Sequence, residues 1–340
     1  LSIVEKRHSD HLLTLDALRG IAALAVVLTH IGAIANRPQV GAYGYLAVDL
    51  FFIMSGFVIG RAYEPRILAG MSWRAFMTLR IVRLYPVLAL GCLAAVLAAP
   101  SPTWPAFAQF LLIPDFSTPA LFPLNEVLWS LFFEIVINGA HAACARKLTT
   151  SKLVIAVALA GLAFLAATWI HSGPGVGWGR DSFFGGFARV AWGYGIGLLI
   201  YRLTSSNTLV LPAWPAAFPV FVLGIFLLAP NSGFGALRVL FAVFLLFPVM
   251  AALSTNAVVP KSLAGLAAWL GAVSYPLYAV HYPILKLAAS WQPGSLGWGG
   301  TIVVILLVST VIEYGIDAPL RRRLRRRRPA RNGAAAPAAG

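Results

Sequence analysis

Long apolar stretches alternate with short, turn-rich polar ones along nearly the whole chain of 340 residues. Ten stretches approach the roughly 20 residues that a helix needs to cross a bilayer: 17–35, 45–62, 83–99, 124–143, 153–170, 183–201, 213–229, 236–253, 266–289 and 298–317. Between them lie turn signals such as Asn36-Arg37-Pro38, Pro100-Ser101-Pro102 and Ser172-Gly173-Pro174-Gly175. Continuous apolar runs, rather than short segments of alternating polarity, exclude a membrane β-barrel. The pattern predicts an all-α fold, a polytopic transmembrane helical bundle of about ten spans. It divides the chain into an N-terminal segment 1–14, a transmembrane domain 15–320 and a tail 321–340. The Ala/Pro/Gly ending of that tail predicts disorder.

Composition agrees. Hydrophobic residues make up 59% and charged residues 11%, against about 25% charged in a soluble domain. The net charge of +15 changes the picture only through its distribution. With the N-terminus inside, the inner segments hold Lys6, Arg7, Arg61, Arg66, Arg74, Arg80, Arg83, Arg146, Lys147, Lys152, Arg202, Lys261 and the eight arginines from Arg321 to Arg331. The outer segments hold only Arg37, Arg180 and Arg238. Such a bias places both termini in the cytoplasm and agrees with an even number of spans. The basic tail then reads as a topology anchor facing anionic lipid. Nucleic acid is not an expected partner, because no aromatic or fold signature accompanies the run. Cys92 and Cys144 lie in apolar runs and outline no disulfide framework. The N-terminal region carries no small-residue cleavage site and is not read as a signal peptide.

Candidate chemistry lies where polar groups are costly, at least ~2.5–3.5 kcal/mol for an ionisable residue inside a span. The first span carries Asp16, Arg19 and His30. Arg19 and His30, 11 residues apart, share one helical face, with His30 about 16 Å further along it. The alternatives are a snorkelling arginine and a structural interhelical histidine. In the fourth span, Glu126, Ser130, Glu134 and His141 recur at helical spacing, with Trp129 and Asn138 beside them. Glu134 reads either as a reactive carboxylate or as the partner of a buried arginine such as Arg189. Asp49, in the second span, reads either as functional or as a helix-start carboxylate. The ninth span presents Ser274, Tyr278 and His281 on one face, with Pro276 and Pro283 bending it. Tyr282 and Lys286 fit an interfacial belt. Arg80 and Arg83, in the loop after the second span, are neighbours if helical and suit a phosphorylated ligand. Glu313 and Asp317, ahead of the tail arginines, predict a helix-end charge network. These residues alone fit either a transporter or a membrane enzyme.

Six motifs, in order, narrow this. Leu15-Asp16-Ala17-Leu18-Arg19-Gly20 with His30 resembles the opening of the acyltransferase 3 family of membrane O-acyltransferases. So do Val48-Asp49-Leu50-Phe51-Phe52-Ile53-Met54-Ser55-Gly56-Phe57, Arg80-Ile81-Val82-Arg83-Leu84-Tyr85-Pro86, and Trp129-Ser130-Leu131 with Glu134. Ser274-Tyr275-Pro276-Leu277-Tyr278 with His281-Tyr282-Pro283, and Glu313 with Pro319-Leu320-Arg321, complete the series. Family members often carry two adjacent glutamates where Phe133 precedes Glu134 here, which leaves Glu134 the sole candidate at that place.

The resemblance implies transfer of an acyl group, commonly acetyl, from acyl-CoA to a hydroxyl of an extracytoplasmic carbohydrate or glycolipid. It implies a multi-pass protein of the bacterial inner membrane with no permanently bound cofactor. Arg19, Arg80 and Arg83 are then expected to bind the donor. His30 is the expected base, because imidazole titrates near neutral pH; His281 competes for that role. Asp49 or Glu134 would orient the base or hold the acceptor. Tyr278 or Ser130 would donate to the oxyanion, and His281 and Arg189 remain candidates for contact with substrate. An acyl-histidine intermediate is a variant. A metal site from His30, His281 and Glu134 is not expected, since no ligand spacing supports it. No hydrolase-like domain follows in this sequence, so a second catalytic step is expected from another protein. The rival reading is a transporter or flippase of a lipid-linked sugar that performs no chemistry.

Overall fold

The computed structural model describes residues 3–99, 104–228, 235–291 and 295–326. Most of the basic tail therefore lies outside the described residues. The rest is an all-α bundle. Its helices are α1 (Ile3–Ile34), α2 (Ala47–Leu68), α3 (Trp73–Ala98), α4 (Leu128–Cys144), α5 (Thr150–Ile170), α6 (Phe183–Ser205) and α7 (Ala217–Leu228). Then come α8 (Gly235–Ser254), α9 (Lys261–Ala289) and α10, which begins at Ser295–Val311. A π-helical turn at Ile312–Asp317 carries α10 into Ala318–Arg326, and a similar turn at Ala242–Leu246 interrupts α8. A parallel pairing of Trp214–Pro215 with Ala257–Val258 clasps the start of α7 to the segment before α9.

Each expected span has its helix, but among the described residues only eight are long and apolar enough to cross a bilayer. The exceptions are α4 and α7. The fourth begins late because Asn125 and Glu126 are used in a turn: the Asn125 side chain donates to the Ala279 carbonyl at 3.0 Å. In the seventh, residues 214–215 are strand rather than helix, and its C-terminal neighbours lie outside the described residues. Lipid-facing surfaces are apolar, as on α5, where Leu159 and Leu162 are 61% and 64% exposed.

The third helix corrects a sequence expectation. It starts at Trp73, not near residue 83, because Ser72 caps it by accepting from the Ala75 amide at 3.2 Å. Arg80 and Arg83 therefore sit inside a helix, two turns from its start, and not in a loop.

Two packings position the site. α9 lies along α1 and α3, and α2 lies along α6. The α2–α6 contact is close because both helices present glycine. A methyl at Gly56 would strike the Tyr194 carbonyl, and one at Gly197 would strike that of Ile53. Small residues at such a seam let backbones approach and supply the packing that lipid cannot.

Candidate active site

The cores of α2, α3, α4 and α9, with Arg19 of α1, surround a cavity of about 200 Å³. Arg19, Arg80, Arg83, Glu134, Ser55, Ser130, Ser274, Tyr275 and Tyr278 line it, among apolar groups from Val48 to Leu84. Three arginines thus face one enclosure with one lining carboxylate.

The charges are paired. Glu134 Oε1 accepts from Arg80 Nη2 at 3.0 Å and from the Ser55 hydroxyl at 2.8 Å. Arg83 Nη1 donates to Asp317 Oδ2 at 3.0 Å, and its guanidinium lies 5.8 Å from the centre of the Tyr275 ring. Asp317 and Glu313 are both bound by Arg321, which bears out the expected helix-end charge network. The π-helical turn places both carboxylates on the face that meets Arg83 and Arg321. Arg19 is 3.9 Å from Asp16, with each side chain about a third exposed.

Further along α9, Tyr278 OH lies 2.7 Å from Ser130 Oγ, and Ser130 also donates to the Val127 carbonyl at 3.1 Å. One turn on, His281 is fully buried. Its Nδ1 lies 3.0 and 2.9 Å from the Leu277 and Tyr278 carbonyls, and its Nε2 lies 3.2 Å from His30 Nδ1. Carbonyls accept only, so His281 Nδ1 carries the proton and Nε2 a lone pair. His30 Nδ1–H then donates, shared with the Val26 carbonyl at 2.9 Å. That leaves the lone pair of His30 on Nε2, which has no hydrogen-bond partner among the described residues. The Tyr282 ring stands edge-on to His30 at 5.2 Å, and its hydroxyl donates to Glu126 at 2.5 Å.

Several sequence expectations change. Asp49 does not orient His30. It meets Arg189 through both carboxylate oxygens, at 2.8 and 2.7 Å, with both side chains at most 2% exposed. Arg189 also donates to the Val176 carbonyl at 3.1 Å and faces the Trp129 ring. That pair lies outside the cavity lining, as do His30 and His281. Glu134 pairs with Arg80 rather than Arg189 and does not join the histidines. The side chain that meets the His30 ring nitrogen is that of His281. Tyr282 is no interfacial anchor: it is 5% exposed and committed to Glu126. Lys286 reaches the Pro123 carbonyl at 3.2 Å. The stripe on the fourth span is real in spacing, but its four residues serve four separate sets of partners.

The last of those partners was missed. His141 Nδ1 lies 2.6 Å from Tyr194 OH, and its Nε2 lies 3.4 Å from Glu64, which Arg202 also binds at 2.5 Å. Glu64 and Arg202 end two helices that the glycine seam aligns, so the seam was the available signal.

A family model described as an acyltransferase domain matches residues 12–314. Protein 2 in the picA locus of Rhizobium radiobacter is 33% identical over 183 residues, covering 46% of this chain and 95% of that protein. A putative acetyltransferase, ORF330 of the Acidianus two-tailed virus, is 24% identical over 90% of this chain and 89% of its own. Acyltransferase MdmB of Streptomyces mycarofaciens is 25% identical over 93% of each chain. No solved structure matches the chain.

Proposed function

The chain belongs to the acyltransferase 3 family, and from that premise we propose that this membrane acyltransferase moves an acyl group, acetyl in the simplest case, from acyl-CoA to a hydroxyl of an extracytoplasmic carbohydrate or glycolipid. The observation that carries the reading is a row of polar groups along α9. An arginine-lined cavity reaches as far as the Ser130–Tyr278 hydroxyl pair, and one turn beyond that lining His281 meets His30, whose second nitrogen is open.

In this reading Arg80 and Arg83, with Arg19, take the donor phosphates through charge-assisted hydrogen bonds. The pantetheine arm runs past Tyr275 and Tyr278 toward His30. His30 Nε2 accepts the proton of the acceptor hydroxyl as its oxygen attacks the thioester carbonyl. The carbonyl electrons move onto oxygen, then return as the carbon–sulfur bond breaks, and the proton passes to the leaving thiolate. Ester and free CoA thiol are the products, with no net proton change. Tyr278 or Ser130 donates to the oxyanion by turning its O–H from its present partner. His281 positions His30 by fixing its tautomer, as a hydrogen bond at one ring nitrogen decides the role of the other. Asp49 and Arg189 hold α2 against α6 and so keep Ser55 at the cavity.

The charge distribution supports both termini in the cytoplasm of the bacterial inner membrane. The donor would then enter from the inside and the acceptor from the outside.

The test is direct. Purified protein in liposomes, given radiolabelled acetyl-CoA and candidate glycan or glycolipid acceptors, should release CoA and label the acceptor. His30→Ala should do neither while still binding CoA. Acceptor translocation without CoA release would replace the enzyme reading with a transport one.

A further inference from the structure

Two of the three arginines assigned to the donor are already engaged by carboxylates from two different helices. Glu134 of α4 holds Arg80, and Asp317 of α10 holds Arg83, each at 3.0 Å. Neither pair is closed. Arg80 uses one nitrogen, while its Nε is buried with no hydrogen-bond partner; Asp317 Oδ1 is equally buried and unpartnered. Each carboxylate also has a second group to fall back on. The Ser55 hydroxyl donates to Glu134 at 2.8 Å, and Arg321 holds Asp317 as well as Glu313. Giving up an arginine would therefore leave neither carboxylate without a partner.

We infer that Glu134 and Asp317 are internal stand-ins for the anionic groups of the donor. They occupy Arg80 and Arg83 in the empty site and yield them to an arriving polyanion, with Glu134 kept by Ser55 and Asp317 by Arg321. The inference rests on the reading that this cavity takes the donor. It follows from charge compensation, most strongly at Arg80: a buried guanidinium with nothing opposite it is strongly destabilising, so the site needs its own anion there, whereas Arg83, half-buried, needs Asp317 less. It also supplies selectivity, because discrimination is a difference of affinities and competition enters it. A monoanion that reaches one arginine displaces one carboxylate. A diphosphate spans Arg80 and Arg83, one helical turn apart, and displaces both. After transfer, the carboxylates reclaim the arginines and speed release of the spent carrier.

The experiment measures binding of coenzyme A, without acceptor, to the full chain in nanodiscs of zwitterionic lipid by calorimetry. Glu134→Gln and Asp317→Asn keep size and polarity and remove one charge each. Each should tighten coenzyme A binding by about tenfold, the scale of one charge-assisted bond no longer opposed. The gain from Glu134→Gln should vanish in an Arg80→Gln background, as pairwise coupling requires. A gain that persists there is plain relief of repulsion and overturns the inference. Unchanged or weaker binding in both single variants, with binding lost in Arg80→Gln, also overturns it: the carboxylates would then hold the arginines in binding geometry. If Arg80→Gln and Arg83→Gln both bind coenzyme A normally, the donor reading itself falls, and the inference with it.

Discussion

Two buried arginine–carboxylate pairs sit in the same bundle and differ in how they are finished. Asp49 and Arg189 meet through two hydrogen bonds, with the remaining guanidinium nitrogen on a backbone carbonyl and an indole ring across one face. Glu134 and Arg80 meet through one, at a cavity wall, with a nitrogen of Arg80 left over. The first is a closed structural fastening between α2 and α6. The second stands at the wall of the cavity with one buried donor unmet. Opposite charge at similar range thus serves two ends, and the number of satisfied donors tells them apart.

Four variants probe the contrast, starting with the largest effect. His30→Ala should lower acyl transfer by about 10²–10⁴-fold, the usual worth of a positioned base, with an unchanged melting temperature in detergent; this separates loss of chemistry from loss of fastening. Asp49→Ala should do the reverse at first hand. Stranding Arg189 should destabilise by about 3–5 kcal/mol, seen as a lowered thermal transition and poor insertion, whatever substrate is added. A stable Asp49→Ala protein that binds donor poorly would erase the distinction between the two pairs. Third, Arg83→Ala should weaken coenzyme A binding by about 1.5–3 kcal/mol in titration calorimetry while the protein still inserts. Smallest, Ser55→Ala should shift stability by about 1 kcal/mol or less, since Glu134 Oε1 keeps its bond from Arg80 and the cavity admits water in place of the hydroxyl; a melting curve suffices.

Much of the fold was legible because bilayer thickness imposes one long apolar run per crossing, and each of the ten runs coincides with a helix among the described residues. The limits of α3 and α4 were not, since a hydropathy window sees transfer cost, whereas Ser72 and Asn125 set those limits through hydrogen bonds. Single residues of the site were legible for the same reason of cost: Arg19, His30, Arg80, Arg83, Glu134, Ser130, Tyr278 and His281 stand out as polar groups in apolar surroundings. Their partners were not. Helical spacing places residues on one face of one helix but says nothing of the helix opposite. So Arg189 was offered to Glu134 rather than to Asp49, Asp49 was offered to His30, to the acceptor or to a helix start, the contact between His30 and His281 was taken as a rivalry between them, and the cluster of Glu64, His141, Tyr194 and Arg202 went unseen. Each of these pairings spans more than 50 residues.

The glycine seam between α2 and α6 has a consequence in time. Asp49 precedes Arg189 by 140 residues, and Glu64 precedes Arg202 by 138. At about 5–20 residues per second, a ribosome needs roughly 7–28 s to cover that interval. For that period α2 stands in or beside the bilayer with two carboxylates whose partners have not been made. Each carries an insertion penalty of about 2.5–3.5 kcal/mol if it reaches the middle of the bilayer. When α6 emerges, Gly56 and Gly197 let it lie flush against α2, and one docking event neutralises both acids. A bulky residue at either glycine would hold the helices apart, so the nascent chain would keep both charges unmatched and present a target for membrane quality control before the later helices had been translated.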